Sequence, residues 1–358
     1  MKINFVSQIF GQTGYDHHCR NLVNALYKLN PEINIRCPLP QYWQQLATDE
    51  ETKMLTTTHD ADVTIMVGLP HYWCMNFEQA KKFVGFLVWE GDRIPAFFKK
   101  HIEDKRVNAV WVPSNHTLNA IKKTLGYLPE KVKIVPHGVN LELFKPIKID
   151  RSKNFTYVAN KGWRAGIEDR GGMQWVFKSF NNEFSAEEKV ELFVKINTVY
   201  ADQNWNLQNE MTKLNLNNTK GKINVTLENI PTNFMYHVYN RGDCFVTGTM
   251  AEGFSLPCIE AMACGLPVIA TNYGGQIDFV AEENGWMVDY EMVQANDGFM
   301  YEEVMWAKPK LDDLQKKLRY VYEHPEEAKT KGYLALQEAK KWTWEKSAEI
   351  AMRFLKEL

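Results

Sequence analysis

The sequence lacks an excess of either charge, a cysteine pattern and long apolar runs. Its 358 residues include 42 lysines and arginines against 44 aspartates and glutamates, a formal net charge of −2. This balance argues against the class of proteins that hold nucleic acid on a general basic face. No stretch approaches the roughly 20 apolar residues of a membrane span. Peripheral contact with a membrane surface, through a local patch, is left open.

The six cysteines, at positions 19, 37, 74, 244, 258 and 264, show no C-x-x-C pair and no metal-ligand spacing. No apolar leader precedes the first predicted strand, so we expect reduced thiols in a cytoplasmic protein. No D-x-D motif lies in a suitable place, and we expect no metal and no other cofactor. The glycine loop around Gly11 and Gly14 lacks a complete G-x-G-x-x-G, which disfavours a nicotinamide-dependent oxidoreductase.

The length is about twice that of a typical domain, so two domains are expected. Strands alternating with helices predict an α/β fold with two Rossmann-like parallel-sheet domains. The first is predicted over residues 1–147 and the second over 153–335, joined by the polar linker Lys145–Asn154. A helix with apolar residues at helical spacing is predicted over 343–358.

The most informative stretch is MAEGFSLPCIEAMACG, which begins at Met250. It predicts a strand ending near Thr247, a glycine turn, and a helix to about Cys264 that tolerates Pro257 in its first turn. Such a turn offers backbone N–H groups to an anion, aided by the positive end of the helix dipole. The residues predicted to do so are Gly253, Phe254, Ser255 and Leu256.

Two carboxylates flank this turn, because Glu252 precedes the helix and Glu260 lies two turns inside it. With seven residues between them, in the setting EGFSLPCIEAMACGLPVIAT, they resemble the E-x7-E signature of retaining glycosyltransferases of the GT-B fold, family 4, the glycosyl transferases group 1. The bland alternative is that both are ordinary helix and turn carboxylates.

The resemblance implies transfer of a hexosyl unit, with retention, from a nucleotide-diphosphate sugar to a hydroxyl of a saccharide or lipid-linked acceptor. It implies that Glu252 holds donor-sugar hydroxyls and Glu260 the ribose hydroxyls, and that Gly14 faces the donor phosphates. Asn229 and Ile230 would lie beside the nucleobase. It also implies two domains that face each other across a cleft, with the last helix crossing back to the first domain. A nucleotide-sugar epimerase of the same fold and a non-catalytic nucleotide-sugar binding protein remain alternatives, and the oligomeric state is not indicated.

Basic residues follow the strands of the second domain. Arg164 and Arg170 lie in the loop after the predicted strand Phe155–Ala159, and Lys195 ends the next one. Strands of a parallel sheet end at one rim, so these cations are expected to bind the diphosphate, with Arg170 and Lys195 catalytic alongside Glu252. The family usually has a lysine directly after the position of Arg170, and spacing does not decide whether Lys195 or Arg164 replaces it.

Polar residues also follow the strands of the first domain. His71, Glu90 and Asp92 are candidate acceptor contacts, with local ion pairs or caps as the alternative. Many family members carry a histidine where this chain reads VWEGDRIP. The stretch Tyr290–Pro309 is predicted to be an irregular insertion that either forms a lid, contacts acceptor or membrane, or packs onto the second domain.

Overall fold

The computed structural model describes residues 1–37, 45–150, 152–164, 168–199, 201, 203–216 and 219–358, without the side chains of 78–80. The strands are β1 (Ile3–Val6), β2 (Ile33–Arg36), β3 (Ala61–Val67), β4 (Ala80–Phe86), β5 (Ala109–Val112), β6 (Val132–Ile134), β7 (Phe155–Gly162), β8 (Val190–Asn197), β9 (Lys222–Thr226), β10 (Cys244–Thr247), β11 (Val268–Thr271), β12 (Gly285–Val288), β13 (Tyr290–Gln294) and β14 (Met305–Pro309).

The α-helices are α1 (Gly14–Leu29), α2 (Asp49–Thr56), α3 (Lys99–Ile102), α4 (Asn115–Leu125), α5 (Met173–Glu183), α6 (Leu207–Lys213), α7 (Tyr236–Tyr239), α8 (Leu256–Ala263), α9 (Leu311–Glu323), α10 (Pro325–Ala339) and α11 (Trp344–Glu357). Short 3₁₀ segments include Pro70–Gln79, Ala96–Phe98 and Phe299–Tyr301. The chain divides into two compact units. The first comprises Met1–Gly138, Phe299–Val304 and Trp342–Leu358, and the second Val139–Gly298 and Met305–Lys341.

The sheet of the first unit has the strand order β2-β1-β3-β4-β5-β6, with every neighbouring pair parallel. From β1 the chain adds β2 on one side and the later strands, starting with β3, on the other, so the strand order reverses between β1 and β3. Ligands of open parallel sheets bind outside the carboxyl ends of the strands at such a point. Helix α11 also belongs to this unit and packs against α1. It begins at Trp344 after the N-cap Thr343, and its buried face includes Ala348, Ala351 and Leu355.

The sheet of the second unit has the order β12-β11-β10-β7-β8-β9, again with parallel neighbours. The order reverses between β7 and β10. The six strands thus have the order found in a dinucleotide-binding Rossmann sheet. The two sheets therefore confirm the predicted α/β architecture with two Rossmann-like parallel-sheet units.

The prediction for Tyr290–Pro309 was wrong in part. Strands β13 and β14 pair as a regular antiparallel hairpin, and the N–H of Ala307 donates to the carbonyl of Met250 at 2.8 Å. The sequence did not indicate this pairing, because the second strand, MWAKP, shows no alternation of apolar and polar residues. Only the tip, Phe299–Val304, belongs to the first unit. Across the described residues, none of the helices is long and apolar enough to cross a membrane.

Candidate functional site

The turn between β10 and α8 lies at the point where the strand order of the second unit reverses. Ser255, the residue before α8, adopts a left-handed backbone with φ of 80°, a conformation that costs energy for a residue other than glycine. Its hydroxyl lies 3.2 Å from the thiol of Cys258, and α8 begins without a side-chain cap. The N-terminus of this helix, with the turn from Gly253 to Leu256, is the place where the sequence predicts that an anion binds.

Backbone packing holds this turn between two others. A Cβ atom on Gly172, at the start of α5, would overlap the carbonyl of Gly248, and one on Gly275 would overlap the backbone of Gly253. The N–H of Gly275 donates to the carbonyl of Glu252 at 2.8 Å. Only glycine permits these approaches, so the three turns after β7, β10 and β11 are fixed together at one edge of the sheet.

Glu252 is buried in this turn and forms an ion pair with Lys161, which lies near the end of β7. The same carboxylate oxygen accepts a hydrogen bond of 3.0 Å from the hydroxyl of Thr249. Lys161 was not among the residues that the sequence singled out. Its place at the carboxyl end of a strand was the available signal, and it is the same signal that pointed to Lys195.

Arg170 lies against the same turn. Its guanidinium donates to the carbonyl of Ala251 at 3.2 Å, and its own carbonyl accepts from the N–H of Met250 at 2.9 Å. These bonds hold a cation within the turn that carries Glu252. The structure thus brings together Glu252, Arg170 and Lys161 around the start of α8.

Glu260 is buried on α8, and its carboxylate accepts a hydrogen bond of 2.6 Å from the hydroxyl of Tyr239. That hydroxyl in turn accepts a 3.0 Å bond from the side-chain amide of Asn160 on β7. Burial raises the pKa of Glu260 to about 7, and the bond from Tyr239 partly offsets this rise. Neither Asn160 nor Tyr239 was found from the sequence.

Lys195 lies in β8 with only 6% of its surface exposed. It is the register partner of Asn160, and partners on parallel strands project to the same face of the sheet. Its ammonium makes no hydrogen bond or ion pair with any residue that the structure describes. Burial lowers the pKa of Lys195 because the charged form loses its hydration. An anion bound here would restore the missing interaction.

The remaining predicted donor residues are placed differently. The guanidinium of Arg164 pairs with Asp297 rather than with the Glu252 turn, and residues 165–167 of the same loop lie outside the described residues. Asn229 and Ile230 follow β9; Asn229 is exposed and the N–H of Ile230 donates to the carbonyl of Glu228.

In the first unit Gly14 is the first residue of α1 and is exposed. A capping box caps the N-terminus of α1. The side chain of Thr13 accepts a hydrogen bond from the N–H of Asp16, and the Asp16 carboxylate accepts from the N–H groups of Thr13 and Gly11. A phosphate at Gly14 would therefore meet a carboxylate that already occupies the helix N-terminus.

The acceptor candidates lie after β3 and β4. Glu90 accepts a 2.7 Å hydrogen bond from the hydroxyl of Tyr301, and Asp92 forms ion pairs with Lys123 and Arg93. Burial lowers the pKa of His71, which favours its neutral imidazole. The two alternatives, acceptor contact and local ion pair, are therefore both still open. The carboxylates have local partners, and they also follow strands at the edge of the sheet where ligands bind.

Comparisons with known proteins agree with this architecture. Residues 184–298 match the family described as Glycosyl transferases group 1. A sucrose synthase of Melioribacter roseus is 42% identical over 53 residues, which are 14% of this chain and only 7% of that protein's length.

Solved structures resemble the whole chain. A sucrose-phosphate synthase of Thermosynechococcus elongatus has a TM-score of 0.70 at 14% identity, covering 100% of this chain and 99% of that one. Anabaena Alr3699/HepE, in complex with UDP and glucose, has a TM-score of 0.70 at 16% identity, covering 100% of both chains. The fold is therefore GT-B. Within this fold, residues 184–298 are similar to the domain that defines the group 1 glycosyl transferases.

Proposed function

We propose that the protein transfers a hexosyl unit, with retention of configuration, from a nucleotide-diphosphate sugar to a hydroxyl of a saccharide or lipid-linked acceptor. The observation that carries the proposal is the grouping of Glu252, Lys161 and Arg170 around the uncapped start of α8. This arrangement presents cations and backbone N–H groups to a diphosphate, and a carboxylate to hydroxyls beside it.

In the proposed reaction the bond between the anomeric carbon and the diphosphate oxygen breaks while the acceptor oxygen bonds to that carbon. The acceptor proton passes to the leaving phosphate, so no side-chain nucleophile is required. Negative charge grows on the phosphate as the bond breaks. Arg170, Lys161 and Lys195 stabilise that charge together with the amides after Glu252, a fixed electrostatic contribution that often dominates catalysis.

The two glutamates have separate roles in this proposal. Glu252 binds hydroxyls of the donor sugar, and Lys161 holds its carboxylate in place until the donor arrives. Glu260 binds the ribose hydroxyls, with Tyr239 donating to the opposite oxygen. The side chains supply the positive charge, so we expect that a chelator such as EDTA leaves the rate unchanged.

The donor is proposed to carry uridine diphosphate, because Alr3699/HepE binds UDP and UDP-glucose in the same fold. Thermal-shift titration with UDP, GDP and ADP tests the base, since a ligand that binds only the folded state raises the melting temperature. Arg170→Ala should lower turnover by on the order of 10², comparable with removal of one oxyanion donor. Lys316→Ala is the control, because Lys316 is an exposed cation of the same unit. Equal loss in both variants, or in neither, would contradict the assignment.

A further inference from the structure

The first unit carries a group of exposed aromatic side chains where β3 and β4 end. Tyr72 is 50% exposed, Phe97 is 37% exposed and Phe299 is 70% exposed. They come from three separate segments of the chain, and we call them the aromatic shelf. Large apolar side chains exposed together usually mark a binding surface.

The rings of the shelf are in contact through shared neighbours. The ring centroids of Phe97 and Phe299 lie 6.1 Å apart, with an interplanar angle of 25°. The ring centroid of His71 lies 4.0 Å from that of Tyr72 and 5.8 Å from that of Phe97. The buried ring of Phe98 supports both His71 and Phe97 from below. The shelf is thus a continuous surface that rests on the core.

The segment Phe299–Val304 is anchored firmly enough to hold Phe299 in position. Tyr301 is buried and stacks on Trp89, with centroids 5.1 Å apart and an interplanar angle of 13°. Its hydroxyl donates to the carboxylate of Glu90 at 2.7 Å. A Cβ atom on Gly91 would overlap Val304, so the backbone after β4 lies directly against the segment. Through Tyr301, the anchor therefore connects Phe299 of the shelf to the carboxylate of Glu90.

The polar groups beside the shelf suit hydroxyls. Burial lowers the pKa of His71, which favours its neutral imidazole, and its buried Nδ1 has no hydrogen-bond partner among the described residues. Glu90 adds carboxylate oxygens that accept hydrogen bonds. A pyranose matches this set, because its C–H face carries partial positive charge toward the negative face of an aromatic ring while its hydroxyls point outward.

We propose that the aromatic shelf, with His71 and Glu90, is a binding site for the saccharide part of the acceptor. The inference rests on the proposed glycosyl transfer and assigns its acceptor to a sugar that stacks on Phe299 and Phe97. The competing occupant is a membrane surface, for which the exposed Lys99 and Lys100 would supply cations. The carboxylate of Glu90 favours the sugar, since it accepts hydrogen bonds from hydroxyls and repels anionic headgroups.

Saturation-transfer NMR on the full-length protein with maltose, cellobiose and chitobiose tests the site. We expect saturation of the ring C–H protons of at least one probe, reduced at least fivefold in both Phe299→Ala and Phe97→Ala. Tyr333→Ala is the control, because Tyr333 is an aromatic residue on α10 of the second unit whose exposure, 63%, lies between those of Phe97 and Phe299. Thermal unfolding of each variant verifies that the fold is intact.

Saturation of none of the probes, or equal saturation in the shelf variants and the wild type, would overturn the proposal. So would sedimentation with phosphatidylglycerol vesicles that depends on Phe299 but not on added sugar. UDP binding measured on the same variants separates this outcome from failure of the proposed function. Loss of the sugar signal with intact UDP binding concerns the shelf, whereas absence of nucleotide binding in the wild type concerns the transfer reaction.

Discussion

The hydroxyl of Tyr239 donates to the buried carboxylate of Glu260 at 2.6 Å and accepts from the amide of Asn160 at 3.0 Å. The bond from Asn160 occupies the oxygen of the phenol and directs its proton toward Glu260. A directed donor stabilises the ionised carboxylate against the cost of burial. The ionisation of Glu260 therefore depends on a phenol and an amide that come from other elements of the second unit.

The first prediction concerns stability and pH. The pKa of Glu260 rises from 4.5 to about 7 in the folded protein, so between these values the folded state retains a proton that the unfolded state releases. The free energy of unfolding should therefore fall by about 3 kcal/mol from this group as pH rises through that window. Glu260→Gln should remove this part of the slope in urea unfolding at pH 5 and pH 8. Glu283→Gln, at an exposed position, should leave the slope as it is in the wild type.

The second prediction concerns nucleotide binding by Tyr239→Phe. Without the phenolic donor the pKa of Glu260 rises further, so a carboxylate able to accept ribose hydroxyls forms only at higher pH. Isothermal titration with UDP from pH 6 to pH 9 should show the midpoint of affinity displaced upward, with recovery toward wild-type affinity at the alkaline end. A uniform loss at every pH would indicate a packing defect instead. Tyr333→Phe, at an exposed tyrosine, serves as the control.

The third prediction concerns the buried ammonium of Lys195. Because it lacks a partner among the described residues, its charge costs free energy in the absence of ligand. Lys195→Met should raise the stability of the unliganded protein by about 1 kcal/mol or more and weaken UDP binding at least tenfold. Thermal unfolding with and without UDP measures both effects. Lys153→Met, at an exposed position, should change neither. Lower stability in Lys195→Met would contradict the absence of a compensating partner.

The fourth prediction concerns the pair formed by Lys161 and Glu252. Removal of one member leaves the other charge largely buried without this partner, so Lys161→Met and Glu252→Gln should each destabilise the protein by about 3 kcal/mol. The double variant should recover most of that loss, because both charges are then absent. Donor turnover should stay low in all three. Recovery of activity in the double variant would show that the pair is only structural.

The sequence predicted the part of the site that is local in the chain. The turn, the helix and both glutamates lie within Glu252–Cys264, where spacing along the chain fixes their relation. The alternation of strands and helices likewise predicted both sheets. The sequence did not predict Lys161 and Tyr239, because their contacts depend on which strands and helices become neighbours in the fold. The hairpin of β13 and β14 was missed for a similar reason, since its pairing crosses a segment that belongs to the first unit.

Residue type alone also gave an incomplete account of the cations. Arg164, Arg170 and Lys195 share a predicted rim, yet Arg164 pairs with Asp297 while Arg170 bonds to the turn that carries Glu252. Which partner each arginine contacts depends on the folded structure, and the spacing of residues along the chain does not encode it. Among the candidate acceptor contacts, the sequence identified His71 and Glu90 but not the rings around them, because exposure of an aromatic residue depends on the fold.

The most direct test of the central claim is the configuration of the sugar released when water replaces the acceptor. Proton NMR can follow the anomeric signal during hydrolysis of UDP-glucose, whose glucose is α-linked, before the free sugar equilibrates. The account predicts that α-glucose appears first, at a rate that Arg170→Ala lowers by on the order of 10². Initial release of β-glucose, or release at the same rate in Arg170→Ala, would contradict retaining transfer at this site.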